Sequence, residues 1–263
     1  MNASSLDRYQ RAESLIHQLD PRIKILLSML FILSNVLLPD GAAIGFFLSW
    51  MLILLINIIS KLQLSFILKR SFIALPFTLA AITVIFTLPG ETIAEWEIGS
   101  WVLTATDSGL LRFLSILVRS WLSVQVAILL TATTTFPDIA HSLRHLHFPK
   151  ILISILSFMY RYLFVLSEEA QRLLKARAAR AARIPKEKAR SFLWQAKVAG
   201  NMVGQLFVRS LERSERVYSA MQARGFRGQF LTLSPHHLRN KDYLIGVIGF
   251  TLLMSIQFIQ FNI

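Results

Sequence analysis

The sequence predicts an all-α polytopic membrane protein, with about five transmembrane helices and long amphipathic helices on the cytoplasmic side. Three observations carry that expectation. Of the 263 residues, 54% are hydrophobic and only 16% charged, with a mean hydropathy of +0.53, a balance outside the soluble globular class. The apolar residues gather into segments close to the ~20 residues that a helical span needs. The basic residues behind the net charge of +13 concentrate in some connections and are missing from others, the asymmetry that sets membrane orientation.

The N-terminal stretch "MNASSLDRYQRAESLIHQLDPRIK" stays polar and mixed in charge for too long to be a cleaved signal peptide, so the first apolar segment is expected to remain as an anchor. That first span is Ile23 to Leu38, with Asp20 placed to cap it and Pro21 suited to its first turn. Pro39, Asp40 and Gly41 break the pattern, and Ala43 to Ile59 is the second span. Phe66 to Leu88 is the third, interrupted by Lys69, Arg70 and Pro76, so its membrane part is expected to begin near Ser71. Leu110 to Thr133 is the fourth and Tyr243 to Ile263 the last.

Lys61, Lys69 and Arg70 lie between spans two and three, whereas Glu91, Glu95, Glu97 and Asp107 lie between spans three and four with no base among them. The first connection is therefore expected inside and the second outside. Alternation puts the N-terminus in the cytoplasm and the C-terminus outside the cell membrane. Three regions follow: 1–133 with four spans, 134–240 as cytoplasmic or interfacial helices carrying most of the Lys and Arg, and 241–263 as the closing span.

Within the middle region, "FPDIAHSLRHLHFPK" reads as a short helix with Asp138 near its start and Pro149 ending it. Ile151 to Leu166 is nearly all apolar apart from Arg161, too short for a comfortable span, and continues as helix through "SEEAQRLLKARAARAAR" until Pro185. A further helix, Ser191 to Ala223, carries Phe192, Ala196, Ala199, Val203, Leu206, Leu211, Val217, Tyr218 and Met221 at helical spacing. Lys197, Gln205, Arg209, Glu212 and Arg216 are expected to face away, with Glu212 and Arg216 forming an i,i+4 pair.

Each of these two long helices ends in Ala-Arg-small: Ala179, Arg180 and Ala181 in "LLKARAARAARIP", and Ala223, Arg224 and Gly225 in "RVYSAMQARGFRG". Alanines let a partner's walls approach closely, and a guanidinium offers a rigid fork of donors to carboxylates and carbonyls. Gly225 suits the left-handed conformation that ends a helix. The plainer reading is an arginine that complements the helix macrodipole and reaches anionic lipid. The recurrence of the tripeptide at two helix ends favours the plug.

Four segments together resemble the T component of energy-coupling factor (ECF) transporters, of the CbiQ cobalt-permease type: "SLIHQLDPRIKIL" from Ser14, "TATTTFPDIAHSLRHLHFPK" from Thr131, "LSFMYRYLFVLSEEAQRL" from Leu156 and "RSLERSERVYSAMQARGF" from Arg209. The resemblance implies that the two long helices are coupling helices, seating Ala179, Arg180, Ala181 and Ala223, Arg224, Gly225 in grooves of two ATP-binding-cassette ATPase subunits. It also implies a membrane-embedded substrate-binding subunit (the S component, CbiM-like) that holds the transported ion. The first motif has alanine at 181 where the family often has glycine, so Arg177 and Arg183 stay open as its inserted side chain; Arg180 best fits the family spacing. Cobalt is the leading substrate by resemblance, with nickel open and a vitamin less favoured.

The remaining candidates point to structure or lipid. His141 and His145 share a helical face near His147, yet no carboxylate or cysteine completes a metal set, and His17 is expected at the membrane interface. Arg112 and Arg119 stand on one side of the fourth span; the first can reach the outer surface, and the deeper Arg119 is expected to pair with a neighbouring helix or a partner subunit. With no cysteine, no Gly-Lys-Ser/Thr of a P-loop, no HExxH and no GxSxG, neither an enzyme nor a bound cofactor or metal is expected. A stand-alone secondary transporter or channel would need a polar pathway or an inverted repeat. A membrane-anchored nucleic-acid binder would track phosphates with its basic segment, but apolar stripes run through that segment.

Overall fold

The computed structural model describes residues 9–10, 14–98, 101–146, 148–181, 192–226, 228 and 238–261. The chain divides into two compact units, Arg8–Ser142 with Pro235–Ile263, and Met1–Asp7 with Leu143–Ser234.

The first unit opens with a short helix α1 (Leu15–Gln18) and then α2 (Pro21–Leu37). Asp20 caps α2 as its sequence announces, its Oδ1 accepting from the Arg22 N–H at 2.9 Å while Pro21 takes the first helical position. α3 (Ala43–Ser60) follows after the Pro39-Asp40-Gly41 break. The expected third span runs without a gap but not as a regular α-helix: α4 (Leu64–Ser71), a 3₁₀ turn, α5 (Leu75–Leu79), a second 3₁₀ turn and α6 (Val84–Thr87) follow one another, with right-handed helical backbone at every junction. Pro76, in the first turn of α5, supplies no N–H and its ring crowds the carbonyl one turn earlier, so the ladder tightens there rather than running on.

The acidic connection is ordered as an antiparallel hairpin of β1 (Thr92–Ile98) and β2 (Trp101–Thr106), with Glu95 opposite Thr104. This is the one departure from an all-α chain among the described residues. Their alternating β-branched and aromatic residues suit a ladder. α7 (Asp107–Thr133) starts from Thr106, whose Oγ1 accepts from the Gly109 N–H at 3.3 Å. α8 (Phe136–His145) ends before Pro149. That proline opens the next helix rather than closing α8, because its carbonyl accepts from the Leu152 N–H at 3.0 Å.

α7 packs against α2, α3 and the α4–α6 series, and the core formed there contains Phe31, Phe46, Ile53, Ile67, Leu122, Val126 and Leu129. α11 (Asn240–Phe261; α9 and α10 belong to the second unit) lies on α2 and α3. Gly249 lets it come close: a Cβ there would sit 2.9 Å from Leu27 Cδ2. Polar stitches join the same helices, Gln257 Nε2 donating to Ser34 Oγ at 2.9 Å and the Gly45 N–H to Gln260 Oε1 at 3.1 Å. In a bilayer such bonds contribute about 0.6 kcal/mol each, with packing supplying much of the remainder.

The second unit holds α9 (Lys150–Ala181) and α10 (Phe192–Ala223), each 32 residues and so about 48 Å long. Among the described residues, four helices are long and apolar enough to cross a membrane: α3, α7, Lys150–Arg180 and α11. This differs from the five expected. α2, at 17 residues, and the mixed α and 3₁₀ segment Leu64–Thr87 fall outside that set, and α9, expected to be too short in its apolar part, qualifies by length and composition.

Candidate coupling helix ends

α9 and α10 pair antiparallel. Near the start of α9, the Phe158 ring meets that of Phe226 edge-on at 6.4 Å, and Ser154 Oγ donates to the Gly228 carbonyl at 3.0 Å. In the middle Arg209 reaches Glu169 at 2.7 Å, and toward the far end the Arg177 guanidinium lies 6.0 Å from the Trp194 ring centroid. Arg209 therefore faces α9, a correction to its expected outward position. Arg209 is itself exposed, and Glu169 draws its guanidinium toward α9; the partly covered positions of α10 are Trp194, Val198, Met202, Leu206, Ser210, Arg213, Val217 and Met221. Of the expected apolar stripe, Leu206, Val217 and Met221 lie on that side, while Phe192, Val203, Leu211 and Tyr218 remain exposed. The predicted Glu212–Arg216 pair is present at 4.0 Å.

The C-terminus of α10 is a Schellman motif. The Phe226 N–H donates to the Met221 carbonyl at 3.0 Å and the Gly225 N–H to that of Gln222 at 2.9 Å, with Gly225 at φ 76°. Arg224 is the last residue before the reversal, and its side chain is exposed, with no hydrogen bond or ion pair to any described residue. Phe226, folded back onto Phe158, fixes the direction in which the end projects. Ala223 is exposed beside it.

Ala179 and Arg180 occupy the last turn of α9, both exposed, and Arg180 likewise has no side-chain partner among the described residues. Ala181 closes the helix. Of the two alternatives for the first motif, Arg177 is half-buried and engaged with Trp194, and Arg183 lies outside the described residues. Because the pairing is antiparallel, the two arginines stand at opposite ends: Arg180 is 22 residues beyond Phe158 along α9, about 33 Å at the helical rise.

The other candidates serve the first unit. Arg119 donates to the Leu38 carbonyl and pairs with Asp40 at 3.0 Å, Arg112 reaching the same carboxylate at 3.7 Å. Together they clamp the α2–α3 turn, which no pattern in the sequence announces beyond the two arginines on one face. His17 Nε2 bonds to the Gln10 carbonyl at 3.0 Å and Nδ1 to Ser14 Oγ at 2.7 Å. A carbonyl only accepts, so Nε2 carries the proton and Ser14 donates to Nδ1. Burial pushes this imidazole below its ordinary range; the Gln10 carbonyl opposes that, and the nearby Lys24 charge adds to it. Sequence reasoning missed Asp242, which is buried and accepts from the Asp20 N–H at 3.3 Å and the Arg239 N–H at 2.9 Å, joining the starts of α2 and α11. Its position in the first turn of a helix was the only available signal. His141 and His145 stand on α8, His147 lies outside the described residues, and no group of three potential metal-binding side chains forms among the described residues.

Residues 12–237 match the family profile of CbiQ, described as a cobalt transport protein. The chain belongs to the CbiQ family. This CbiQ-family chain is 30% identical to an energy-coupling factor transporter transmembrane protein, EcfT, of Brevibacillus brevis, across 85% of each chain. It is 27% identical to the Acidaminococcus fermentans protein of the same name, over 98% of this chain and 97% of the relative. An uncharacterised protein of Methanocaldococcus jannaschii is 26% identical over 97% of this chain and 86% of its own. The kinship is with transmembrane transporter proteins and not with enzymes.

Proposed function

We propose that the chain is the transmembrane coupling component of an ECF-type importer, carrying motion from two ATP-binding-cassette ATPase subunits to a membrane-embedded substrate-binding subunit, CbiM-like, that takes up cobalt or nickel ions. The observation that carries the reading is the pair of exposed guanidiniums, Arg180 and Arg224, without side-chain partners among the described residues, at opposite ends of one antiparallel helix pair. A separation of about 33 Å suits two neighbouring subunits better than one groove. The names of the relatives, transmembrane proteins of ECF transporters, support it, as does the CbiQ description for cobalt.

In this reading Ala179, Arg180 and Ala181 seat in one ATPase and Ala223, Arg224 and Gly225 in the other. The small residues permit close approach, and the guanidinium forks meet carbonyls or carboxylates. ATP-driven closure of the ATPases shifts both ends. α9 and α10, fastened at Glu169–Arg209 and at both aromatic ends, pass the displacement to the substrate-binding subunit. The intramolecular engagement of Arg177 favours Arg180 as the first plug. Residues 1–133 and 241–263 form the membrane region and 134–240 the coupling region, with the N-terminus cytoplasmic and the C-terminus external.

Charge reversal tests this. Arg224→Glu should abolish uptake and ATPase capture at unchanged membrane insertion, and Arg180→Glu should lower both coupled ATPase activity and uptake. Normal uptake by Arg224→Glu at normal expression refutes the coupling role, and an effect confined to Arg177 or Arg183 moves the first motif.

A further inference from the structure

Between α9 and α10 lies an open, mainly apolar cleft of about 650 Å³, walled by Ile155, Phe158, Phe207, Leu211 and Tyr218. One cation interrupts it. Arg213 lines the same cleft, is half-buried, and has no ion pair or hydrogen bond among the described residues. The neighbouring carboxylate Glu212 is taken by Arg216 at 4.0 Å. A partly desolvated guanidinium between apolar walls is costly unless an anion meets it.

The surroundings argue for the anion's source. Between Leu143 and Ser234 the sequence holds 17 Lys and Arg against five Asp and Glu, the composition that an anionic leaflet attracts. Phe207 and Tyr218 are 62% and 56% exposed, more apolar surface than water favours when it is contiguous. The cleft falls within the about 300–1,000 Å³ of sites that take small ligands, room for one acyl chain of a phospholipid and not for the whole molecule.

We propose that this cleft seats one anionic phospholipid, with an acyl chain between α9 and α10 and its phosphate on the Arg213 guanidinium. The inference rests on the cytoplasmic-side placement of this unit, and not on the seating of the helix ends in ATPases. A phospholipid held there fills the gap between two helices that otherwise touch chiefly at their middle and ends, and stiffens the pair.

The test uses the full-length chain reconstituted in vesicles of equal phosphatidylglycerol and phosphatidylcholine with matched acyl chains, re-extracted in detergent, with the retained lipid counted by mass spectrometry. The expected result is about one phosphatidylglycerol per chain in excess over phosphatidylcholine. Arg213→Gln should reduce that excess about fivefold, Ser214→Trp, which fills the cleft from an exposed position, should remove it, and Arg216→Gln should leave it unchanged. Equal retention of the two lipids, equal loss in Arg216→Gln, or an excess that survives Ser214→Trp overturns the proposal. So does a helix of a copurified subunit cross-linking to position 213 with no lipid retained. Binding of the ATPases by Arg213→Gln stays at the wild-type level, which separates this outcome from failure of the coupling reading.

Discussion

Arg119 shows how a charge earns a place in an apolar span. Its guanidinium satisfies the Leu38 carbonyl and Asp40 together, so the fork geometry matters as much as the charge. Arg119→Ala should destabilise the chain by about 1–3 kcal/mol, less than loss of a fully buried pair because Asp40 is partly open to solvent. A thermal melt in detergent reads this as a lowered midpoint, with Arg119→Lys intermediate; an unchanged midpoint removes the clamp. His17 makes a prediction of opposite dependence, on pH rather than on sequence. Its pKa is lowered in the fold, so its contribution is complete above the ordinary value of about 6.5 and is lost as pH falls below it, where the neutral ring must be charged. Amide exchange at Leu15–Gln18, corrected for the intrinsic rate, should accelerate on going from neutral to acidic buffer. Unchanged protection across that interval contradicts the assignment.

At the scale of the element, Gly225 carries the end of α10. Nothing lies within 4 Å of a Cβ built there, so Gly225→Ala costs only the left-handed backbone, about 1–2 kcal/mol. That cost should fray the last turn and weaken ATPase capture with no change in the fold of the spans, measurable as helix-end exchange and pull-down. Retained capture with intact exchange protection denies the cap a role. Some element boundaries were legible because a local chemical signal marks them. Asp20-Pro21 announces α2, and Gly225 announces the end of α10. Other features were illegible because they depend on a partner. Arg209 belongs by charge to an outer face, and only the position of Glu169 on another helix turns it inward. Pro76 was visible, but its consequence, a helix that tightens to 3₁₀ turns on either side of α5, depends on packing along α7. Asp242 binds two backbone N–H groups, one of them 222 residues away in sequence, a relation no local window contains.

For the molecule as a whole, the account needs two separated plugs on one lever. Spin labels at positions 179 and 223 should report a distance of about 30 Å; a value under about 15 Å would place both ends in one groove and fit a single ATPase contact. The most direct measurement uses the lack of cysteine. Ala179→Cys and Ala223→Cys are introduced singly and together, and cross-linked within the copurified transporter. The account predicts that each position joins a nucleotide-hydrolysing subunit, and that the double variant joins two copies at once. Cross-links to lipid alone, with no ATPase captured at either position, contradict it.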